Sequence, residues 1–199
     1  MTKIILASQS PRRQQLLRQI GLKDFTIMVP HADERYDAAL APGDIVRSIC
    51  RKKAEAARSM AADPRALIIA ADTMVFLDGL RLGKPRDPQE ARDMLAALSG
   101  RTHQVCTGVA LCRGDALVTE AETTAVTFRP LSEREIRRYV ATGECLDKAG
   151  AYGVQGMAAL FVEGIAGDYF NVMGLPLHRL GRMLEEFGVD LFSSEEETA

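Results

Sequence analysis

The apolar run LIIAADTMVFL, at residues 67–77, constrains the fold of this chain more strongly than any other segment. A continuous apolar run followed by an Asp-Gly pair is typical of a buried strand that ends in a hairpin turn. Asp72 lies inside this run, where a carboxylate is costly unless it is paired, metal-bound or at the strand end. Asp72 is therefore the strongest functional candidate. The alternative is an Asp-Thr pair that ends the strand by bonding its own backbone.

The segment KIILASQSPRR, at residues 3–13, predicts a second buried strand that leads directly into a helix. Ser10 is a favoured N-cap, and the proline after it suits the first helical position. A helix N-terminus attracts anions and guanidinium groups match phosphate oxygens, so Ser8, Arg12 and Arg13 indicate a phosphate-binding turn. An ordinary capped helix with a solvated arginine pair is the alternative, and this segment alone does not decide between them.

Two lysines offer further cationic charge for a phosphate group. Lys53 follows Ile49 by four residues in a helix predicted from residue 43, so it adjoins the apolar face of that helix. Lys84 lies between a flexible Gly83 and a rigid Pro85. Each lysine could reach a phosphate, or it could be a solvated surface charge.

The segment DKAGAYGVQG, at residues 147–156, is unusually rich in glycine. Such a composition lets the backbone approach a ligand closely, and Tyr152 or Gln155 could read the edge of a base or stack on it. A plain flexible loop is the alternative.

Acidic residues beside phosphate-binding cations indicate a divalent metal ion, because carboxylates repel phosphates unless a cation bridges them. Glu34, in a polar connector at residues 30–42, and Asp72 are the candidate metal ligands or water activators. The three histidines are isolated in the sequence, so the expected ion is magnesium or manganese rather than zinc. The sequence contains no GxSxG or GxxxxGK[ST] motif, which favours water as the attacking group and excludes a P-loop.

The composition excludes several other classes of protein. A formal net charge of -2, from 25 basic and 27 acidic residues scattered along 199 positions, argues against a nucleic-acid or membrane surface. No apolar stretch approaches the roughly 20 residues of a membrane span. The four cysteines are isolated and the N-terminus has no signal-peptide core, so we expect a cytoplasmic protein.

Strand and helix patterns alternate along the chain, but hairpins interrupt the alternation. This predicts an α/β fold with a mixed, twisted β-sheet flanked by helices. Towards the C-terminus we expect a strand at 159–165, a loop at 167–174 and a last helix ending near residue 187. Residues 1–192 are expected to form a single domain, and residues 193–199 an acidic, disordered tail.

Six blocks of the sequence resemble one family in the same order, namely LASQSPRR, AADTMV, LGKPRD, LSGRTHQVCTGV, DKAGAYGVQG and GDYFNVMGLPL. They are similar to the Maf (septum formation inhibitor) nucleoside triphosphate pyrophosphatases. The resemblance implies two lobes around a central cleft, as in the inosine triphosphatase group, and a homodimer. It also implies metal-dependent cleavage of a nucleotide to the monophosphate and pyrophosphate.

The resemblance also implies roles for individual residues. Asp72 matches the proposed proton acceptor of the AADT motif, and Ser8, Arg12 and Arg13 match the phosphate-binding turn. The remaining polar site positions are matched by Glu34, Lys53 and Lys84.

Substrate choice is implied by the glycine-rich block, which resembles the branch that acts on dTTP and UTP. Arg12, Thr73 and Gln155 match the specificity positions of that branch. Two alternatives remain: the same chemistry on 7-methyl-GTP or other modified nucleotides, and a nucleotide-binding regulator of cell division or septum formation. The helix reads ICRKKA, so either Lys52 or Lys53 could face the site.

Overall fold

The computed structural model describes residues 3–192, so the predicted tail at 193–199 lies outside the described residues. Seven strands form one sheet in the order β2-β1-β3-β5-β6-β7, and β4 pairs with β3 beside this path. The strands are β1 Ile4–Leu6, β2 Phe25–Ile27, β3 Leu67–Leu77, β4 Leu80–Leu82, β5 Thr102–Arg113, β6 Ala116–Phe128 and β7 Val162–Ala166.

Within residues 3–192, six α-helices accompany the sheet, and the first begins at the cap that the sequence predicts. Ser10 caps the first helix by accepting a hydrogen bond from the backbone N–H of Arg13. Ser132 and Glu135 form a capping box before the fourth. The helices are α1 Pro11–Gln19, α2 Pro42–Met60, α3 Pro88–Leu98, α4 Glu133–Ala141, α5 Tyr169–Met173 and α6 Leu177–Glu186.

The sheet is mixed, which confirms the predicted fold class. β1 pairs in parallel with both β2 and β3, whereas the pairs from β3 onwards are antiparallel. β3 has the bounds predicted from the LIIAADTMVFL run. The Asp-Gly pair at residues 78 and 79 joins it to β4 with both φ angles positive, as a tight hairpin requires.

The sheet has a gap along one edge of β3. β1 pairs with β3 only at residues 67–69, and β4 pairs with it only at residues 75–77. Between them, residues 70–74 have no strand partner on that side among residues 3–192, while β5 pairs with the opposite edge throughout. Side chains from both faces of β3 can therefore reach the gap, because successive residues point to opposite faces.

Helices cover both faces of the sheet. α2 packs on one face, where it approaches β5 so closely that a Cβ on Gly108 would lie 2.4 Å from the backbone oxygen of Val46. On the other face, α1 and α6 pack on one end of the sheet, and α3 and α4 pack on the other. The gap in β3 lies between these two groups of helices.

Two predictions near the C-terminus are wrong. The strand expected from residue 159 begins at Val162, because residues 157–161 form a 3₁₀ turn that buries Ala158 and Phe161 three residues apart. The loop expected at 167–174 contains α5, which Asp168 caps by accepting from the backbone N–H of Phe170. Asp168 therefore shapes the backbone locally. In the described part of the chain, no helix combines the length and apolar character needed to cross a membrane.

Candidate active site

A cleft of about 670 Å³ opens at the gap in β3. This volume is within the usual range for a small-molecule site. The cleft brings together every site residue that the sequence predicts. They are Ser8, Arg12, Arg13, Glu34, Lys53, Asp72, Thr73, Lys84 and Gln155.

Asp72 lies at the gap and contacts a cation from α2. Its Oδ1 accepts a hydrogen bond of 2.6 Å from Lys53 Nζ, and the same ammonium lies 2.9 Å from Glu34 Oε1. This contact lowers the pKa of Glu34 below its usual value. The side chains of Asp72 and Lys53 are only 15% and 17% exposed, so their attraction is weakly screened by water. One ammonium thus holds two carboxylates together in the cleft.

The structure also decides which lysine of α2 faces the cleft. Lys53 does, whereas Lys52 Nζ donates to the backbone oxygen of Arg35 and does not line the cleft. α2 places Lys53 beside β3 because the side chains of Ile49 and Ala57, four residues away on either side, are buried against the sheet.

Arg13 is held rigidly in the cleft wall. Its Nε donates to the backbone oxygen of Gly174 at 2.9 Å, and its two terminal nitrogens donate at 3.1 Å to Ser8 Oγ and Thr73 Oγ1. Burial lowers the pKa of Arg13, while the nearby Asp72 carboxylate acts in the opposite direction. Guanidinium remains protonated in proteins, so Arg13 is a fixed positive charge next to Asp72.

The remaining cations are less constrained. Within residues 3–192, the Arg12 side chain makes one polar contact, of 3.4 Å, with Asp147 on the glycine-rich segment. Lys84 is exposed and forms no hydrogen bond or ion pair with any residue in the range 3–192. Both can therefore move onto an incoming anion at little cost.

The glycine-rich segment is anchored at both ends, which leaves Gln155 exposed at the cleft. Lys148 Nζ donates to the backbone oxygen of Glu144, and Glu144 Oε2 accepts from the backbone N–H of Met157. Tyr152 is 5% exposed and packs edge-on against His103 and Phe128. Tyr152 also lines the cleft, but Gln155 is the one of these two whose side chain is exposed there.

The sequence matches one protein family over most of its length. The model of the family described as "Maf-like protein" matches residues 3–187. The chain belongs to the Maf family. Its curated relatives include proteins named dTTP/UTP pyrophosphatase. One from Symbiobacterium thermophilum is 51% identical over 193 residues, which cover 97% of this chain and 98% of the relative. Another from Moorella thermoacetica is 52% identical over 195 residues, which cover 96% and 98%.

The Maf-family fold also resembles a solved structure of another protein. The chain matches a HAM1 protein from Coxiella burnetii with a TM-score of 0.53, over 94% of this chain and all of that chain. Sequence identity is only 16%, so this likeness concerns the fold alone.

The donor set of this Maf-family cleft suits a hard divalent cation that arrives with a ligand. Glu34 and Asp72 supply two carboxylates, and no group of three or more His, Cys, Asp or Glu side chains suited to a metal occurs within residues 3–192. Magnesium is typically bound by one or two carboxylates together with substrate phosphates rather than by a closed protein cage. The residues present therefore fit magnesium or manganese.

Some charged and polar residues of the site escaped the sequence analysis. Arg81 lines the cleft from β4 and donates to Tyr36 Oη. Asp147 lines it opposite Arg12. Arg81 lies in β4, the strand that follows the Asp-Gly turn and pairs with β3, so the hairpin pattern could have identified it. The buried Thr107 and Asn171 behind Arg13 had no signal of this kind, because their partners are distant in the sequence.

Proposed function

We propose that this Maf-family protein is a nucleoside triphosphate pyrophosphatase that hydrolyses dTTP and UTP to the monophosphate and pyrophosphate. The observation that carries the proposal is the position of Asp72. It lies at the unpaired edge of β3, in contact with Lys53, in a cleft that Arg12, Arg13 and Lys84 also line. The names of relatives about half identical over nearly the whole chain support the substrate class.

The cations would bind and orient the phosphate chain. Arg13 offers a fixed guanidinium, whereas Arg12 and Lys84 are free to close on phosphate oxygens. Fixed charges that face the reacting phosphate stabilise the transition state without reorganising, and in phosphoryl transfer positioning and charge account for most of the catalysis.

Glu34 and Asp72 would hold a divalent cation, which when bound neutralises charge on the phosphate oxygens. Asp72 would also accept a proton from the attacking water, since its carboxylate is directed to the gap where the phosphate chain would lie. Lys53 keeps this carboxylate in place through the hydrogen bond from Nζ.

Gln155 would contribute to base selection. Its amide carries both a donor and an acceptor, so it can pair with the N3–H and a carbonyl oxygen of thymine or uracil. The amide is exposed at the cleft and therefore available.

The test is a panel assay for pyrophosphate release. Purified protein is incubated with magnesium or manganese, or with EDTA, and with dTTP, UTP, 7-methyl-GTP and the other common triphosphates. We expect release that requires the metal and is fastest with dTTP and UTP. Preference for 7-methyl-GTP would overturn the substrate assignment. Tight binding of nucleotides without any release would favour a nucleotide-binding regulator.

A further inference from the structure

The guanidinium of Arg13 keeps part of its hydrogen-bonding capacity for a ligand. Among residues 3–192, three of its five N–H groups donate, to Gly174, Ser8 and Thr73. This leaves one N–H on each terminal nitrogen in a side chain that lines the cleft. The direction of these two groups depends on the acceptors that hold the other three.

One of those acceptors belongs to a hydrogen-bonded chain with a fixed direction. Thr107 Oγ1 donates to the backbone oxygen of Asn171 at 3.1 Å, and this uses its only hydrogen because a carbonyl can only accept. Thr73 must therefore donate to Thr107 across the 3.0 Å contact between their hydroxyl oxygens. The lone pairs of Thr73 Oγ1 are then free to accept from Arg13.

The far end of this chain is fixed by a buried side chain. Asn171 has no exposed surface, and its Nδ2 donates to the backbone oxygen of Val105 at 2.9 Å and to Thr124 Oγ1 at 2.8 Å. These bonds attach α5 to β5 and β6. The residue that follows α5 is Gly174, whose backbone oxygen accepts from Arg13 Nε. Two of the three acceptors of Arg13 thus depend on the same buried network.

We propose that Thr107 and Asn171 are positioning residues that aim the free N–H groups of Arg13 at the phosphate groups of a nucleoside triphosphate. Neither residue lines the cleft, and both are fully buried behind it. Without the Thr107 hydroxyl, the remaining acceptor that residues 3–192 offer to the Thr73 hydrogen is the Gly174 oxygen at 3.5 Å. A Thr73 hydroxyl that donates there competes with Arg13 Nε for that oxygen, and one that turns towards the cleft no longer holds its lone pairs towards Arg13.

The test is a double-mutant cycle on binding, with Thr107→Val in the otherwise wild-type protein and in Arg13→Lys. Arg13→Lys keeps the charge but loses the guanidinium geometry. The probe is the non-hydrolysable α,β-methylene analogue of dTTP, titrated by calorimetry in the presence of magnesium. We expect Thr107→Val to weaken binding about tenfold or more when Arg13 is present, as for loss of a hydrogen bond to a charged group. In Arg13→Lys the same change should cost less than about threefold.

Two control variants separate positioning from a general effect on the fold. Thr107→Ser keeps the hydroxyl, and we expect its binding within about threefold of wild type. Val126→Ala removes buried volume in the cluster around α3 and α4, so it should lower stability without weakening binding. Three results would overturn the proposal. Thr107→Val could weaken binding of the analogue equally with Arg13 and with Arg13→Lys. Thr107→Ser could bind no better than Thr107→Val, or Val126→Ala could weaken binding as much as Thr107→Val does.

The positioning role rests on the proposed function for the choice of ligand, but the two can fail separately. A wild-type protein that binds the analogue and releases no pyrophosphate from any triphosphate contradicts the proposed function. The binding cycle then still decides the role of Thr107. A wild-type protein that does not bind the analogue overturns both.

Discussion

At the scale of single residues, the site depends on two neighbours that reach the cleft from opposite faces of β3. Asp72 meets Lys53 from α2, whereas Thr73 meets Arg13 from α1. Because adjacent strand residues point in opposite directions, only an unpaired strand edge lets both act in one cleft. The sequence motif Asp-Thr thus joins an acid that could activate water with a hydroxyl that holds an arginine.

Gln155 should affect the choice of base more than the rate of cleavage. In Gln155→Ala we expect the ratio of kcat/KM for UTP to that for CTP to fall by about tenfold, because one base-edge hydrogen-bond pair is lost. Steady-state assays of pyrophosphate release measure this ratio. Gln155→Asn keeps the amide on a shorter side chain and serves as the matched control. An unchanged substrate profile in Gln155→Ala would contradict a role in reading the base.

His103 should make the stability of the fold depend on pH. Burial lowers its pKa from 6.5 to about 4, and its Nε2 lies 2.7 Å from Tyr152 Oη. The unfolded chain therefore binds a proton between about pH 6.5 and pH 4 that the folded protein does not bind. The contribution of the neutral His103 to the free energy of unfolding is therefore complete above pH 6.5, and it is lost as the pH falls towards 4.

The measurement compares urea unfolding of wild type and His103→Gln at pH 7.5 and pH 5. From the two pKa values, the free energy of unfolding should fall by about 2 kcal/mol more in wild type than in the variant between these two pH values. The pH dependence is compared rather than the absolute stability, so a general destabilisation of the variant does not affect the result. Parallel pH profiles of the two proteins would show that His103 does not titrate on unfolding.

At the scale of elements, local signals predicted the structure well where caps and turns are encoded within a few residues. The position of β1, the bounds of β3 and the cap at Ser10 were all readable from neighbouring residues. The start of β7 was not, because the 3₁₀ turn before it depends on Phe161 packing against Tyr139 from α4. Such a contact between distant segments leaves no periodic pattern in the sequence.

Gly108 should be essential for the position of α2 and hence of Lys53. An added Cβ would collide with the backbone of Val46, which cannot rotate away as a flexible side chain could. In Gly108→Ala we expect a loss of about 1–3 kcal/mol in the free energy of unfolding, typical of overpacking, together with a lower kcat/KM. Gly164→Ala in β7 is the matched control, since a Cβ there meets nothing within 4 Å. Urea titrations and activity assays of both variants decide whether close packing is the cause.

At the scale of the whole molecule, the cleft results from a difference in strand length. β1 has three residues and β3 has 11, so β3 extends beyond its parallel partner, and its edge at residues 70–74 has no strand partner on that side within residues 3–192. The sequence predicts both strands but not their register, and the gap follows from the register. Each candidate site residue could be identified from its local sequence pattern. The contact of Lys53 with both Glu34 and Asp72 could not, because it depends on the assembled fold.

The role proposed for the Asp72 carboxylate is to accept a proton from the attacking water, while Arg12, Arg13 and Lys84 bind the triphosphate. It is tested most directly by measuring kcat and the Kd of α,β-methylene dTTP separately in Asp72→Asn at saturating magnesium. We expect kcat to fall by about 10²–10⁴, the usual contribution of a general base. The Kd should stay within about fivefold of wild type, because asparagine keeps one side-chain oxygen for the metal and Glu34 is unchanged. A variant that keeps the wild-type kcat would contradict the assignment of Asp72 as the base.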